Sequence, residues 1–266
     1  MQTPSSLEAR FERDGFTIVK EVITPKEVLR LRAFLEESLD QHLVGDGPDL
    51  GIQTGSTACA ATWPDFYQRN PQWFGLFCNK HVTEPLRQLL GDPFVLSRDS
   101  IAHWDYYPQW HTDTTTSEAG GRMSCRAPGW RMITVGLYLQ SGGSLSVSPG
   151  SHRRPDPFVV MRKTRGLDRT GADPADWTSD NVLDLPIDAG DAVIFDMRLI
   201  HRAARTLSVG PSGEPCKKLA VYSRVSRNIP EHLIEYSDFQ INGAGSHVPN
   251  IERLRQQARP FGCVLV

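Results

Sequence analysis

The sequence predicts a mostly β protein in which an N-terminal helical layer precedes an antiparallel β core. Apolar residues at helical spacing dominate the first third of the 266 residues, and short β-rich runs separated by Gly, Pro, Asp and Ser follow. Strands do not alternate with helices, as they would in a parallel sheet, so a sandwich or barrel is expected. We expect one domain, with the helical layer at about 1–92, the β core at about 93–227 and a mixed tail at 228–266.

The helical layer should contain one long helix near its start. Thr24 can cap this helix, Pro25 suits its first position, and Glu27 can return the capping-box hydrogen bond. The apolar residues that recur at helical spacing up to about Gln41 are Val28, Leu29, Leu31, Leu35 and Leu39.

A loop rich in Gly, Ser and Ala is expected from Gly45 to Thr62. Shorter helical patterns follow around 71–79 and 81–90, and Gly91-Asp92-Pro93 should end the second. The runs predicted as strands of the β core are FVLSRDSIAHWD, RMITVGLYLQ, SLSVS, NVLDLPI, DAVIFD and KKLAVYSRV. Residues 153–180, rich in Arg, Asp and Pro, should form an excursion from that core.

Composition excludes several classes of protein. The net charge of -2 gives no general attraction to nucleic acid or to an anionic membrane. The five cysteines are scattered and show no C-x-x-C spacing, which argues against a disulfide framework and suits a reducing compartment. Neither a signal peptide nor an apolar run of the roughly 18 residues that a membrane span needs is visible. We therefore expect a cytoplasmic protein.

The pattern His-x-Asp occurs twice, at His103–Asp105 and at His111–Asp113. On a strand, side chains two residues apart point the same way, so either pair could hold one metal ion. With eight His in the chain, one such pair is expected by chance, and only context separates the two. His103 lies inside a continuous strand pattern, where a hydrogen bond to a neighbour is its simplest role. The second pair follows a break at Pro108 and precedes a long polar loop, the usual setting for functional groups.

A third ligand is available from the segment that starts at Ala189. A turn at Gly190-Asp191 leads into an apolar strand, and a second extended run presents His201. Two His and one carboxylate form the facial triad of non-haem Fe(II) oxygenases, which leaves three metal positions open. Zinc sites, by contrast, usually close with four ligands or keep one position open.

Five segments in order resemble the phytanoyl-CoA dioxygenase-like family of Fe(II)/2-oxoglutarate oxygenases. These segments are FERDGFTIVKEVITPKEVLRLRAFL, VTEPLRQLLGDPFVL, WHTD, SGGSLSVSPGSHR and GDAVIFDMRLIHRA. The resemblance implies a double-stranded β-helix, or jelly roll, with helices packed on its larger sheet. It also implies that His111, Asp113 and His201 bind iron, and that His152 in the Pro-Gly-Ser-His turn is structural. The implied cofactors are Fe(II), 2-oxoglutarate and O2.

The residue that would hold the far carboxylate of 2-oxoglutarate is the weakest part of the match. The family places an Arg soon after the distal His, but this chain has Ser212 there, in a lengthened loop. Aligning KKLAVYSRVSR with the final strand puts Lys218 at the Arg position, and Arg224 lies on the same strand face. Lys218 is our first choice and Arg224 the second; Arg205 and Lys217 are the remaining candidates.

The family implies hydroxylation of an unactivated C–H bond of a small molecule in specialised metabolism, with release of succinate and CO2. Arg122, Arg126 and Trp130 near the expected opening favour an anionic or polar substrate, although they could equally belong to a solvated loop. Asp113 fills the carboxylate position, so no site is left for a halide ligand. Two alternatives stay open: a cupin-like isomerase or lyase that does not use 2-oxoglutarate, and an inactive relative that serves as a binding module. No nucleic-acid or membrane partner is expected.

Overall fold

A computed structural model describes most of the chain. The described residues are 6–45, 50–54, 61–104, 110–114, 118, 125, 129–142, 145–160, 181–203, 218–230, 232 and 250–265. None of the helices in these ranges is long and apolar enough to cross a membrane. The described helices are α1 (Ser6–Asp14), α2 (Pro25–Val44), α3 (Phe66–Arg69), α4 (Phe74–Phe77), α5 (Lys80–Leu90) and α6 (Ile251–Ala258).

Helix α2 begins at the capping box that the sequence predicts. The Glu27 amide donates to Thr24 Oγ1 over 3.3 Å, and Glu27 Oε2 accepts from the Thr24 amide over 2.7 Å. The helix runs three residues beyond Gln41 and ends at Gly45, whose φ of 77° is easy only for glycine. Its buried stripe consists of Val28, Leu31, Leu35, Ser38 and Leu39. Leu29 shares the predicted spacing but is 68% exposed, because it lies about 100° around the helix from Val28.

A strand precedes α2, as the resemblance of this segment to the family's opening strand and helix implies. The predicted loop from Gly45 to Thr62, by contrast, contains one short strand and the start of another. Runs this short carry too little periodicity to be recognised. The described strands are β1 (Phe16–Val19), β2 (Gln53–Thr54), β3 (Ala61–Pro64), β4 (Phe94–Trp104), β5 (Met132–Tyr138), β6 (Leu145–Val147), β7 (Leu183–Asp184), β8 (Ala192–Asp196), β9 (His201–Ala203), β10 (Leu219–Arg227) and β11 (Cys263–Leu265).

The strands form two sheets. The larger has the order β1-β8-β5-β10-β4-β3-β2, and β11 pairs in parallel with β4. The smaller has the order β7-β6-β9. Strands β1 and β11 come from the segments before and after the core, so both flanking segments extend its sheet. Of the predicted excursion, residues 153–160 are described; they follow a short 3-10 helix that ends at Arg153 (Ser151–Arg153). Residues 161–180 lie outside the described residues.

Two buried clusters show how the layers pack. One contains the apolar faces of α2 and α5 and one face of the larger sheet; the other contains residues of both sheets. Strand β10 contributes to both, since Val221 packs with the helices and Ala220 packs between the sheets. This arrangement is the jelly roll with helices on its larger sheet that the resemblance implies, so the predicted fold is confirmed. The space between the two sheets is where the candidate site lies.

Candidate metal centre

His111 and His201 lie opposite each other on neighbouring extended segments. The His111 amide donates to the His201 carbonyl over 3.0 Å, and the His201 amide donates back over 2.9 Å. Two residues on, the Asp113 amide donates to the Met197 carbonyl over 2.9 Å. These bonds fix the predicted His-x-Asp pair against the turn that leads into β9.

The three side chains converge, as the spacing predicts. Asp113 Oδ1 lies 3.8 Å from His111 Nε2 and 3.7 Å from His201 Nε2. One ligand atom from each residue lies within 4.8 Å of the others. The side chain of His111 is 33% exposed and that of His201 only 7%, so the group lies where the interior of the fold meets solvent.

Asp113 is held in an ionised form by its surroundings. Burial alone would raise the pKa of Asp113, but the nearby side chains of His201, Arg224 and His111 bring it below its usual value. Thr134 Oγ1 adds a hydrogen bond of 2.5 Å to Asp113 Oδ2. Because Thr134 holds Oδ2, the other oxygen, Oδ1, is the one turned toward both imidazoles. The carboxylate is therefore oriented to offer a single oxygen to an ion.

His201 is held in the tautomer that a metal needs. Its Nδ1 lies 2.9 Å from the Leu199 carbonyl, so Nδ1 carries the proton and Nε2 keeps its lone pair. Burial, followed by the neighbouring His111, lowers the pKa of His201 to about 4. A neutral imidazole beside an ionised carboxylate is the protonation pattern that metal binding requires.

The spacing of Asp113 from both imidazoles suits a shared metal ion. Two donors that each bind an ion at about 2.1 Å can be at most about 4.2 Å apart, and Asp113 Oδ1 lies 3.8 Å from His111 Nε2 and 3.7 Å from His201 Nε2. The donor set of two imidazoles and one carboxylate suits a non-haem Fe(II) site.

Only one residue of the other pair, His103, lies within the described residues. Asp105 lies outside the described residues, and His103 is not among the clustered metal-ligand candidates of the part that is described. The prediction that His103 is an ordinary strand residue is nevertheless incomplete, because its side chain lines the same cavity as the triad. Burial, followed by the charge of Lys218, lowers the pKa of His103 to about 3. His103 therefore presents a neutral imidazole to the cavity.

The cavity extends from the triad between the two sheets, with a volume of about 550 Å³ that includes space open to solvent. Of the two predicted anchors, Arg224 lines the cavity directly, whereas Lys218 is completely buried behind the lining. Arg205 and Lys217, with Arg122 and Arg126, lie outside the described residues. The residues lining the cavity are Ile101, His103, His111, Asp113, Thr134, Leu145, Phe195, His201, Ala203, Tyr222, Ser223 and Arg224.

The rings of Tyr222, Tyr138 and His103 form a layer beside the cavity. Tyr222 donates to the Tyr138 hydroxyl over 3.1 Å, and its ring centroid lies 5.1 Å from that of His103. Gly136, opposite Tyr222 on β5, makes room for that ring, because a Cβ at this position would lie 2.7 Å from Tyr222 Cε1. A lone glycine within a strand pattern is a recognised sign of such a close approach, and it is the signal by which this layer could have been found.

A second buried network holds the segment that carries the His-x-Asp pair. Thr112 donates to Asp156 Oδ2 over 2.7 Å and lies 3.2 Å from the hydroxyl of Thr114. Asp156 Oδ1 also accepts from the Phe158 amide over 2.7 Å. The carboxylate of Asp156 thus fixes the residues between and after the two metal-ligand candidates. No sequence pattern links Asp156 to them.

Comparisons with known proteins agree with the fold. An ectoine dioxygenase from Nocardia farcinica (strain IFM 10152) is 25% identical over 235 residues, which cover 76% of this chain and 72% of that protein. Among solved structures, the non-haem α-ketoglutarate-dependent epimerase SnoN from nogalamycin biosynthesis, crystallised with Fe3+, α-ketoglutarate and nogalamycin RO, aligns with a TM-score of 0.60 at 17% identity over 91% of each chain.

The protein EctD from S. alaskensis, crystallised with 2-oxoglutarate and 5-hydroxyectoine, aligns with a TM-score of 0.59 at 18% identity, covering 83% of this chain and 74% of that one. Identities at this level establish a shared fold. The family evidence is stronger, because the model of the phytanoyl-CoA dioxygenase family matches residues 11–211, well over half of the sequence and including all three clustered side chains. The chain therefore belongs to the phytanoyl-CoA dioxygenase (PhyH) family.

Proposed function

We propose that this protein is an Fe(II)/2-oxoglutarate-dependent oxygenase that hydroxylates an unactivated C–H bond of a small molecule in specialised metabolism. The observation that carries the proposal is the convergence of His111, Asp113 and His201 at the edge of a cavity between the two sheets. The family match, and relatives whose crystals contain iron or 2-oxoglutarate, support the choice of cofactors.

The three clustered residues would hold the iron. His111 and His201 would bind through Nε2 and Asp113 through Oδ1, the atoms that face one another. When bound, Fe(II) with 2-oxoglutarate and O2 supplies the oxidising power for C–H attack, with succinate and CO2 as by-products. The protein would keep Asp113 ionised and His201 neutral, orient both through Thr134 and the Leu199 carbonyl, and limit the access of water.

Lys218 remains our first choice for the anchor of the far carboxylate of 2-oxoglutarate, and Arg224 the second. Lys218 is completely buried at the start of β10, on the strand face that turns toward the cavity. Its positive charge contributes to the lowered pKa values of both His103 and His201, which indicates that its ammonium lies near the triad. A buried ammonium is a favourable partner for a carboxylate only if the two can meet directly, so substitution of Lys218 should weaken 2-oxoglutarate binding.

Hydroxylation is preferred over halogenation because Asp113 occupies the carboxylate position. Epimerisation, the activity in the name of SnoN, is the second candidate for the reaction. Product mass separates the two, because hydroxylation adds one oxygen atom to the substrate whereas epimerisation leaves its mass unchanged. The cytoplasmic location and the absence of a nucleic-acid partner stay predictions.

Coupled turnover tests the proposal. The protein, reconstituted with Fe(II) under anaerobic conditions and then given 2-oxoglutarate and O2, should form succinate in step with O2 consumption. His111→Ala should abolish this turnover and the binding of iron. An isomerase or lyase that does not use 2-oxoglutarate would bind the metal without forming succinate, and an inactive relative would do neither; either result would refute the proposal.

A further inference from the structure

Two cationic side chains lie near the cavity, because Lys218 immediately precedes β10 and Arg224 lies within it. Lys218 and Arg224 are six residues apart, which is about 20 Å along an extended strand. Lys218 is completely buried, whereas Arg224 is half-buried and lines the cavity beside the triad. A co-substrate held by the metal at one end and by a cation at the other uses one of these two side chains. The other cationic side chain can then bind the substrate.

Arg224 lies at the metal end of the cavity. In the register of β10 and β5 it pairs with Thr134, the residue that donates to Asp113. The register of β10 and β4 shifts between Ser223 and Val225, and the extra residues of this shift lie on β4, opposite Arg224. Irregular pairing of this kind is frequent beside active sites.

The layer formed by Tyr222, Tyr138 and His103 lies between the two cations. Ala220 and Tyr222 separate Lys218 from Arg224 on the cavity-facing side of β10, and the Tyr222–Tyr138 hydrogen bond of 3.1 Å ties this layer to β5. Along the chain, Tyr222 therefore stands between Lys218 and Arg224. Of these two cations, Arg224 is the one that lines the cavity together with the triad.

The lining includes an apolar wall beside the triad. This wall consists of Ile101, Leu145, Phe195 and Ala203, and the polar residues His103, Thr134, Tyr222, Ser223 and Arg224 line the rest of the cavity. Such a wall accepts a hydrocarbon portion of a ligand but gives it no polar partner. Arg224 supplies a planar fork of N–H donors, which matches the paired oxygens of a carboxylate or phosphate. One charged residue in an apolar pocket is a common way to fix the orientation of a small ligand.

We propose that Arg224 is the substrate-recognition residue of this site, and that the substrate is a small organic anion whose carboxylate or phosphate binds Arg224 while its hydrocarbon part lies against Phe195 and Leu145 beside the metal. This inference rests on the function proposed above. In this assignment Lys218 binds 2-oxoglutarate and Arg224 binds the substrate.

Probe binding by 19F NMR tests this division without turnover. The protein is loaded with Zn(II), which cannot support oxidation, and with 2-oxoglutarate. It is then titrated with 4-fluorobenzoate, 4-fluorophenyl phosphate and the neutral 4-fluorobenzamide. We expect at least one anion to bind at least tenfold more tightly than the amide. The better of the two anions identifies the acid group.

Variants of Arg224 provide the decisive comparison. Arg224→Met should weaken binding of the preferred anion at least tenfold and leave the amide within twofold, while the affinity for 2-oxoglutarate stays within threefold of wild type. Arg224→Lys should recover part of the anion binding, and Arg224→Gln serves as the neutral variant if Arg224→Met melts at a much lower temperature. Lys218→Met should show the opposite pattern, with loss of 2-oxoglutarate binding.

Three results would overturn the inference: no preference of the wild-type protein for either anion, unchanged anion binding in Arg224→Met, or loss of 2-oxoglutarate binding in Arg224→Met with retention in Lys218→Met. The last result would make Arg224 the co-substrate anchor. Failure of the proposed function has a different signature, because the metal-loaded wild-type protein would then not bind 2-oxoglutarate at all.

Discussion

The two His-x-Asp sequences of this chain show how little the motif itself decides. Both histidines line the same cavity, and both segments belong to the jelly roll. His103 lies within β4 and meets Tyr222, whereas His111 lies in an isolated bridge opposite His201. The difference comes from the partner strand, which brings a second imidazole to one pair. A His-x-Asp pair thus becomes a candidate metal site only where a neighbouring segment supplies the third ligand.

The largest effect is expected from the second pair. His111→Ala removes one of three donors, so we expect loss of stoichiometric iron binding and a drop in succinate formation of at least about 100-fold. His103→Ala is the matched control, since it removes an imidazole from the same cavity but not from the triad. It should retain iron and most of the turnover. Iron content measured after anaerobic reconstitution and gel filtration distinguishes the two variants, and the reverse pattern would assign the metal to the first pair.

A smaller effect should follow from Thr134, which supports only the second pair. Thr134→Val keeps the side-chain shape but removes the 2.5 Å hydrogen bond to Asp113 Oδ2. Groups that orient a metal ligand typically change affinity about 10- to 100-fold, and we expect weaker Fe(II) binding in this range. Thr134→Ser restores the hydroxyl and should recover most of the affinity. Equal metal affinity in Thr134→Val and wild type would show that the hydrogen bond does not position Asp113.

A substitution at Gly136 changes the packing beside His103 and leaves the three metal-ligand candidates unaltered. Gly136→Ala places a methyl group 2.7 Å from Tyr222 Cε1, so Tyr222 must move and the ring layer beside His103 is disturbed. We expect a several-fold weaker affinity for 2-oxoglutarate with unchanged iron binding. Gly75→Ala is the control, because a Cβ there meets nothing within 4 Å. Isothermal titration with 2-oxoglutarate on the metal-loaded protein gives the readout, and wild-type affinity in Gly136→Ala would mean that this layer does not shape the co-substrate site.

His152 has the smallest expected effect at neutral pH. It is 4% exposed, neither ring nitrogen has a hydrogen-bond partner among the described residues, and burial lowers its pKa to about 4. The unfolded chain, with a His pKa of about 6.5, takes up a proton before the folded protein does. The free energy of unfolding should therefore fall as the pH drops from about 6.5 to about 4, by up to about 3 kcal/mol from this residue.

His152→Gln cannot be protonated in this range and should flatten that part of the pH dependence. Urea unfolding of both proteins at pH 7 and at pH 5 measures the difference. A parallel decline in the two proteins would show that His152 does not carry the effect.

The sequence predicts those features that depend on neighbouring residues. The α2 capping box joins Thr24 and Glu27 within one turn, and the triad follows from a two-residue spacing and a strand pattern before His201. Thr134 and Asp156 were missed because their partners lie 21 and 44 residues away, and only the folding of the sheets brings them together. The short β2 and β3 escaped for a different reason, since a few residues give too little periodicity. The exposure of Leu29 escaped because its neighbour Val28 occupies the buried face of the helix. Whether Lys218 or Arg224 binds the co-substrate depends on depth in the cavity, which strand alternation alone does not fix.

An anaerobic crystal structure with Fe(II) and 2-oxoglutarate tests the central assignment most directly. The account predicts one ion bound by His111 Nε2, Asp113 Oδ1 and His201 Nε2 at about 2.1 Å from each, with the far carboxylate of 2-oxoglutarate at Lys218. An ion bound at His103, or an ion that leaves His201 uncoordinated, would contradict it.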